Sequence, residues 1–253
     1  MTPEQKLLDL SGKVAVITGG SRGMGREMAA AFARCGADVV VASRKLEVCE
    51  STAAEIAEAT GRRIEPIECH VGKWDHCDRL YEETYARMGR CDILVNNAGM
   101  SPLYGKLTDV TEALFDKVIE VNLRGTFRLS ALFGERMAAE DGGSIINVSS
   151  TAAIHTGVAE VAYGAAKAGI NAMTRAFAEA YAPKVRVNVI MPGPFATDIA
   201  TAWTDEVKDS IRSRAPLGRI GSPDEIVGAA MYLASDASSY TTGAVIKIDG
   251  GIH

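Results

Sequence analysis

The chain has 253 residues, 47% hydrophobic and 23% charged, with a formal net charge of −5. That profile belongs to a globular protein able to bury a full core, and it excludes a disordered or repetitive chain. No basic block is present, which argues against nucleic acid as a partner.

In chain order, residues 1–10 lack the apolar stretch and small-residue cleavage pattern of a signal peptide. No later apolar run approaches a membrane span. Short apolar runs then predict strands at residues 14–18, 39–42, 64–69, 93–96, 144–148, 185–190 and 244–248. Helical periodicity fills the gaps at 23–35, 46–60, 74–89, 112–139, 162–182 and 223–235, the last begun by Ser222-Pro223. Strands rich in Val and Ile without alternation are buried on both faces, and each is followed by a helix long enough for a crossover. The expected fold is α/β: a doubly wound parallel sheet of Rossmann type, about seven strands with helices on both faces. A single domain is expected over residues 1–253. The segment from Pro192 to Gly221 breaks the rhythm, with a short helix near residues 200–214, and residues 194–213 suit a substrate lid.

The first strand runs into Thr18-Gly19-Gly20-Ser21-Arg22-Gly23-Met24-Gly25. Glycines let the backbone turn sharply and approach a ligand, and the following helix offers free N–H groups and a partial positive charge to a pyrophosphate. Gly19, Ser21, Arg22, Met24 and Gly25 are the candidate contacts, although glycine turns also join strands to helices without any ligand. At the second strand, Asp38 lies at the wrong end to hold a ribose. The strand exits into Ser43-Arg44-Lys45. Ser43, Arg44 and Arg22 can hold a 2′-phosphate, so NADP(H) is favoured over NAD(H); the alternative is that both arginines are merely solvated.

Cys69, His70, His76 and Cys77 follow, but neighbours on a strand point to opposite sides, and no metal site is expected. Five scattered cysteines, an odd number, read as reduced thiols in a cytoplasmic protein. Further on, Ser150 ends the fifth strand, Tyr163 lies thirteen residues later, and Lys167 stands one helical turn beyond it on the same face. An ammonium near a phenol pulls its pKa down from about 10, making an acid toward a carbonyl or a base toward an alcohol. Ser150 can orient the substrate oxygen and stabilise its charge. The alternative for Tyr163 is a packing residue with its hydroxyl outward.

With Asn96-Asn97-Ala98-Gly99, Asn122, and Pro192-Gly193 followed by Thr197, these motifs stand in an order that resembles the short-chain dehydrogenase/reductase family, from Gly12 to Gly251. The resemblance implies an enzyme in which Asn122, Ser150, Tyr163 and Lys167 are catalytic. Lys167 and Tyr163 would also contact the cofactor, and Asn122 would support a water relay and distort its helix. Asn97, Ala98 and Gly99 would lie along the adenosine ribose, and Pro192, Gly193 and Thr197 would hold the nicotinamide. Where the family has Asp-Val for the adenine, this chain has His70-Val71. The terminal strand would make a subunit contact in a homotetramer. Residue by residue, Gly99 and Gly193 also read as turn glycines, Asn122 as a helix-bending residue, and Asn96 as a strand-linking group.

Met100, His155, Val158 and Phe195, with Ala153, Leu103 and Tyr104, are expected around the substrate; His155 reads equally as a solvated loop residue. Mostly apolar, they suggest a small hydrophobic ketone or secondary alcohol. A 3-oxoacyl-(acyl carrier protein) reductase is the runner-up, because Glu140, Asp141 and Glu179 would repel an acidic carrier. A non-catalytic dinucleotide-binding sensor would need neither Tyr163 nor Lys167, and both are present. An epimerase or dehydratase could use the same fold, and net cofactor consumption would count against it. Phe133, Met137, Phe177 and Tyr181 are available either for subunit packing or for the core.

Overall fold

All five residues of the first strand, β1 (Val14–Thr18), are buried, so it can only be an interior strand. The computed structural model describes residue 2, residues 6–198, residue 200 and residues 203–252. After β1 come α1 (Gly23–Arg34), β2 (Asp38–Ser43), α2 (Leu46–Thr60), β3 (Ile64–Glu68), α3 (Trp74–Met88) and β4 (Ile93–Asn96). Then follow α4 (Glu112–Ile119), α5 (Gly125–Ala139), β5 (Gly143–Val148), α6 (Val161–Tyr181), β6 (Val185–Pro192), α7 (Asp205–Arg214), α8 (Val227–Ala234) and β7 (Val245–Ile248). The seven strands form one parallel sheet in the order β3-β2-β1-β4-β5-β6-β7.

Apolar residues cover both faces. On one, Met28 and Phe32 of α1 meet Leu233 of α8 under Ile17, Val39 and Val95. On the other, Leu80, Leu129, Phe133, Met137 and Phe177 pack under Val16, Leu94 and Ile145. Phe133 and Met137 are fully buried, which settles both as core residues; Phe177 is buried as well.

The helix predicted over 112–139 is interrupted. A π-helical turn at Glu120–Arg124 separates α4 from α5, and its centre is Asn122. The Asn122 side chain donates to the Val118 carbonyl at 2.9 Å and to the Met100 carbonyl at 2.9 Å, and accepts from the Met100 N–H at 3.1 Å. These bonds compete with the regular ladder and widen the turn. The last predicted helix likewise begins as a 3-10 turn, Pro223–Ile226, closed by a Ser222/Glu225 capping box.

From β1 the chain winds outward to β3, then returns to place β4 on the other side of β1. Ligands of such sheets sit at this reversal, beyond the strands' carboxyl ends. Thr18, Asn96, Val148 and Pro192 end strands there.

Candidate active site

Gly19 has φ +65°, in the left-handed region that favours glycine. A Cβ on Gly25 would strike the Gly19 carbonyl, and one on Gly19 would meet Asn97 Nδ2 at 2.8 Å. Asn97 Nδ2 donates to the Thr18 carbonyl at 2.9 Å and to the Gly19 carbonyl at 3.3 Å, so its side chain braces the turn from β4. Asn96 spans to β5, donating to Asn147 Oδ1 at 2.9 Å. No side chain caps the N-terminus of α1, and its first turn holds no acid. An uncapped helix start behind a glycine turn fits a pyrophosphate. Met24 packs partly buried beside this turn.

At the end of β2, Ser43 Oγ accepts from Ser21 Oγ at 2.9 Å, and Arg44 is exposed. Asp38 pairs with Arg62 at 2.6 Å at the opposite end of the strand, so it leaves no carboxylate at the ribose position. Arg22 pairs with Asp198 at 2.8 Å, both side chains more than half exposed. Such a pair is weak and leaves the guanidinium recruitable by a phosphate.

His70 lies just past β3. Its Nδ1 accepts from the Gly72 N–H at 3.1 Å, so the neutral ring carries its proton on Nε2 and presents a donor. Burial, foremost, lowers its pKa and favours that neutral form. An ionised carboxylate at this place could only accept a hydrogen bond; this ring presents a donor instead. The side chain of Val71 is buried in the core beneath it.

The catalytic candidates converge where β5 meets α6. Lys167, 4% exposed, donates from Nζ to the Val148 carbonyl at 2.8 Å and lies 5.6 Å from the centroid of the Tyr163 ring. Burial pushes the lysine down to about 8. Tyr163 keeps some surface open, yet burial pushes its phenol up to about 12, against a lowering by the Ser150 hydroxyl and with a small further rise from Glu160. The sequence expectation of a lowered phenol is therefore corrected for the cofactor-free protein: desolvation sets the direction, and the Lys167 head is turned to Val148. Ser150 Oγ also accepts from the Ala152 N–H at 3.2 Å, capping a 3-10 turn that fixes it.

The residues 97–99 join the two halves. Ala98 N–H donates to Thr18 Oγ1 at 3.2 Å, and a Cβ on Gly99 would lie 2.9 Å from Asn122 Oδ1 and 3.5 Å from Lys167 Nζ. From β6, the Gly193 N–H donates to the Ile248 carbonyl at 2.8 Å, and Gly193 leaves no room for a Cβ against Asp249. Thr197 comes within 3.5 Å of the position a Gly23 Cβ would take, so this segment lies against the glycine turn. Pro192 ends β6.

The substrate candidates divide. Met100 is part-buried and tied to Asn122. His155 is exposed, and Val158 is 82% exposed. Phe195 is 6% exposed, packs with the core on the α1/α8 side, and sets its ring against Gly221. The glycine opposite gives this bulky ring its berth. Among the described residues no cluster of three or more His, Cys, Asp or Glu could hold a metal, and no helix is long and apolar enough to cross a membrane. Sequence reasoning missed Glu160, Ser101 and Asp198. Only Glu160, three residues before Tyr163, carried a local signal, and it reads as an ordinary helix-start acid.

A sequence model of the family described as enoyl-(acyl carrier protein) reductase matches residues 19–253. The 3-oxoacyl-(acyl carrier protein) reductase of Thermotoga maritima is 37% identical over 96% of this chain and 98% of its own length. The 2-dehydro-3-deoxy-D-gluconate 5-dehydrogenase of Pseudoalteromonas atlantica is 38% identical over 96% of each. Among solved structures, the NADPH-dependent 3-quinuclidinone reductase of Rhodotorula rubra superposes with a TM-score of 0.94 at 32% identity, covering 99% of this chain and 95% of that one.

Proposed function

The chain belongs to the short-chain dehydrogenase/reductase family of oxidoreductases, and from that premise we propose that it transfers hydride between NADP(H) and a small, largely apolar ketone or secondary alcohol. One observation carries this reading: Lys167 Nζ lies 5.6 Å from the Tyr163 ring, whose phenol feels the Ser150 hydroxyl, and the Gly99 backbone passes between Asn122 Oδ1 and Lys167 Nζ. The dinucleotide, when bound, supplies or accepts the hydride. Gly19, Ser21, Met24, Gly25, Asn97, Ala98 and Gly99 would line its phosphates and ribose, His70 and Val71 its adenine, and Pro192, Gly193 and Thr197 its nicotinamide.

In reduction, Ser150 orients the carbonyl oxygen and Tyr163 donates its phenolic proton to it. A phenol near 12 is protonated at neutral pH, so it is ready as an acid. Lys167 holds positive charge below about pH 8 and so favours the phenolate left behind. Residues 194–213, of which 199, 201 and 202 lie outside the described residues, would act as a substrate lid within a single domain. The decisive test is a panel of free ketones with NADPH, following loss of the reduced nicotinamide. Tight cofactor binding without turnover would favour a sensor instead.

The absence of a carboxylate at the β2 exit and the exposure of Arg44 support NADP(H). Arg44→Asp is expected to raise the KM for NADPH by about 10–100-fold, the worth of a charge-assisted hydrogen bond, and to spare NADH. A wild type that prefers NADH would contradict the assignment.

Relatives that reduce 3-oxoacyl groups on a carrier protein favour a second reading, carrier-bound substrates. Acidic residues at Glu140, Asp141 and Glu179 oppose it. Comparing kcat/KM for a 3-oxoacyl group on carrier protein with the same group as a small thioester separates the two. Trp74 and Phe127, 41% and 45% exposed with rings 6.4 Å apart, leave an aromatic patch that suits subunit packing in a homotetramer, which sedimentation would test. Five free cysteines suit a cytoplasmic location.

A further inference from the structure

Glu160 ends the 3-10 turn Val158–Glu160, which runs straight into α6 and so toward Tyr163. Its carboxylate is part-buried; Oε2 accepts from Ser101 Oγ at 3.4 Å, and the Gly157 backbone donates to the carboxylate as well. Oε1 lies beside the bare backbone of Gly157. No ion pair among the described residues includes Glu160. Desolvation raises its pKa, as expected of a carboxylate drawn from water without a counter-charge.

The surroundings hold this carboxylate on the turn that leads into the helix of Tyr163. Ser101 follows Gly99 and Met100, the strap that touches Lys167 Nζ and is bonded to Asn122. The same strap is pinned to the turn, because the Tyr104 N–H donates to the Ala159 carbonyl at 3.3 Å and the Ala162 N–H to the Tyr104 hydroxyl at 3.4 Å. The charge of Glu160, three residues before Tyr163, adds to the upward shift that burial gives the phenol. A carboxylate therefore stands about one helical turn before the acid/base group, in no ion pair among the described residues. Burying a charge costs free energy unless a partner compensates it.

We propose that Glu160 gives this active site a preference for ketones that carry a cationic group, an ammonium or quaternary amine, placed against Glu160 and Ser101 while the carbonyl meets Tyr163 and Ser150. The proposal rests on the reductase reading for its chemistry. A purely structural alternative exists: an acid at a helix start is favoured by the helix dipole. In that role Glu160 would contribute stability without discriminating among substrates.

The probes are two ketones of equal shape, one ending in trimethylammonium and the other in tert-butyl. Each is titrated into the enzyme–NADP⁺ complex, in which no hydride can pass to a ketone, and each is then assayed with NADPH. Wild type is expected to bind the cationic ketone at least about tenfold more tightly, roughly 1.4 kcal/mol, and to show the same ratio in kcat/KM. In Glu160→Gln that ratio falls toward one. Equal binding of the two ketones by wild type, or a ratio unchanged in Glu160→Gln, would overturn the proposal. A binding ratio that holds without turnover of either ketone would leave Glu160 its role and sink the reductase reading instead.

Discussion

Tyr163→Phe is expected to lower kcat for ketone reduction by about 10²–10⁴-fold, the usual worth of a positioned proton donor, with NADPH affinity changed by less than about threefold, under 1 kcal/mol. The substitution removes one oxygen and keeps the ring, which packs on the face of α6 that carries Lys167. Ser150 and Asn122 are held by backbone contacts independent of that hydroxyl, through Ala152 N–H and through Met100 and Val118. Steady-state kinetics and a cofactor titration on the same preparation check both halves. If the variant lost cofactor binding as well, the hydroxyl would be supporting the fold or the dinucleotide rather than acting as the acid.

Lys167→Met should separate activity from stability. The lysine is 4% exposed, and burial pushes it from 10.5 to about 8. A lowering of that size corresponds to roughly 3 kcal/mol of unfavourable charge burial at neutral pH. Methionine keeps much of the stem without the charge, so the cofactor-free variant is expected to be more stable, by about 1–3 kcal/mol after loss of the bond to Val148. The pH dependence has a definite sign. Between about 8 and 10.5 the unfolded chain binds the proton that the folded lysine has released, so wild-type stability from this group rises with pH through that window. The advantage of the variant is therefore greatest below pH 8 and fades toward 10.5. Denaturant titrations at pH 7 and pH 10 measure it, and turnover of the variant should fall by at least about 10²-fold, the low end of acid–base effects. An equal or lower stability at pH 7 would mean that the lysine is compensated in a way burial does not capture.

The parallel sheet was legible because its strands are unbroken apolar runs: Val39, Val40 and Val41 leave no polar face for solvent. The interruption at Asn122 was not legible from periodicity, because apolar spacing continues through Val121 and Leu129 while one amide side chain redirects the ladder locally. Spacing placed Tyr163 and Lys167 on one face but could not say where the ammonium points. That depends on the Val148 carbonyl, nineteen residues away, and burial of the phenol, equally invisible in the spacing, sets the direction of its shift. Arg22 shows the same limit, since its partner Asp198 comes from the far end of the chain and meets it only when β6 delivers its loop to the glycine turn. The burial of Phe195 was not legible, because the ring rests against a missing side chain, Gly221, which no local pattern reveals.

A pH titration of phenolate absorbance, taken as the difference between wild type and Tyr163→Phe without cofactor, addresses the phenol itself and needs no knowledge of the substrate. A proton donor held near 12 by burial gives no Tyr163 phenolate signal through neutral pH and into the mildly alkaline range. A phenolate from Tyr163 appearing near pH 7 would contradict it, and the residue would have to be read as a base already poised to oxidise an alcohol.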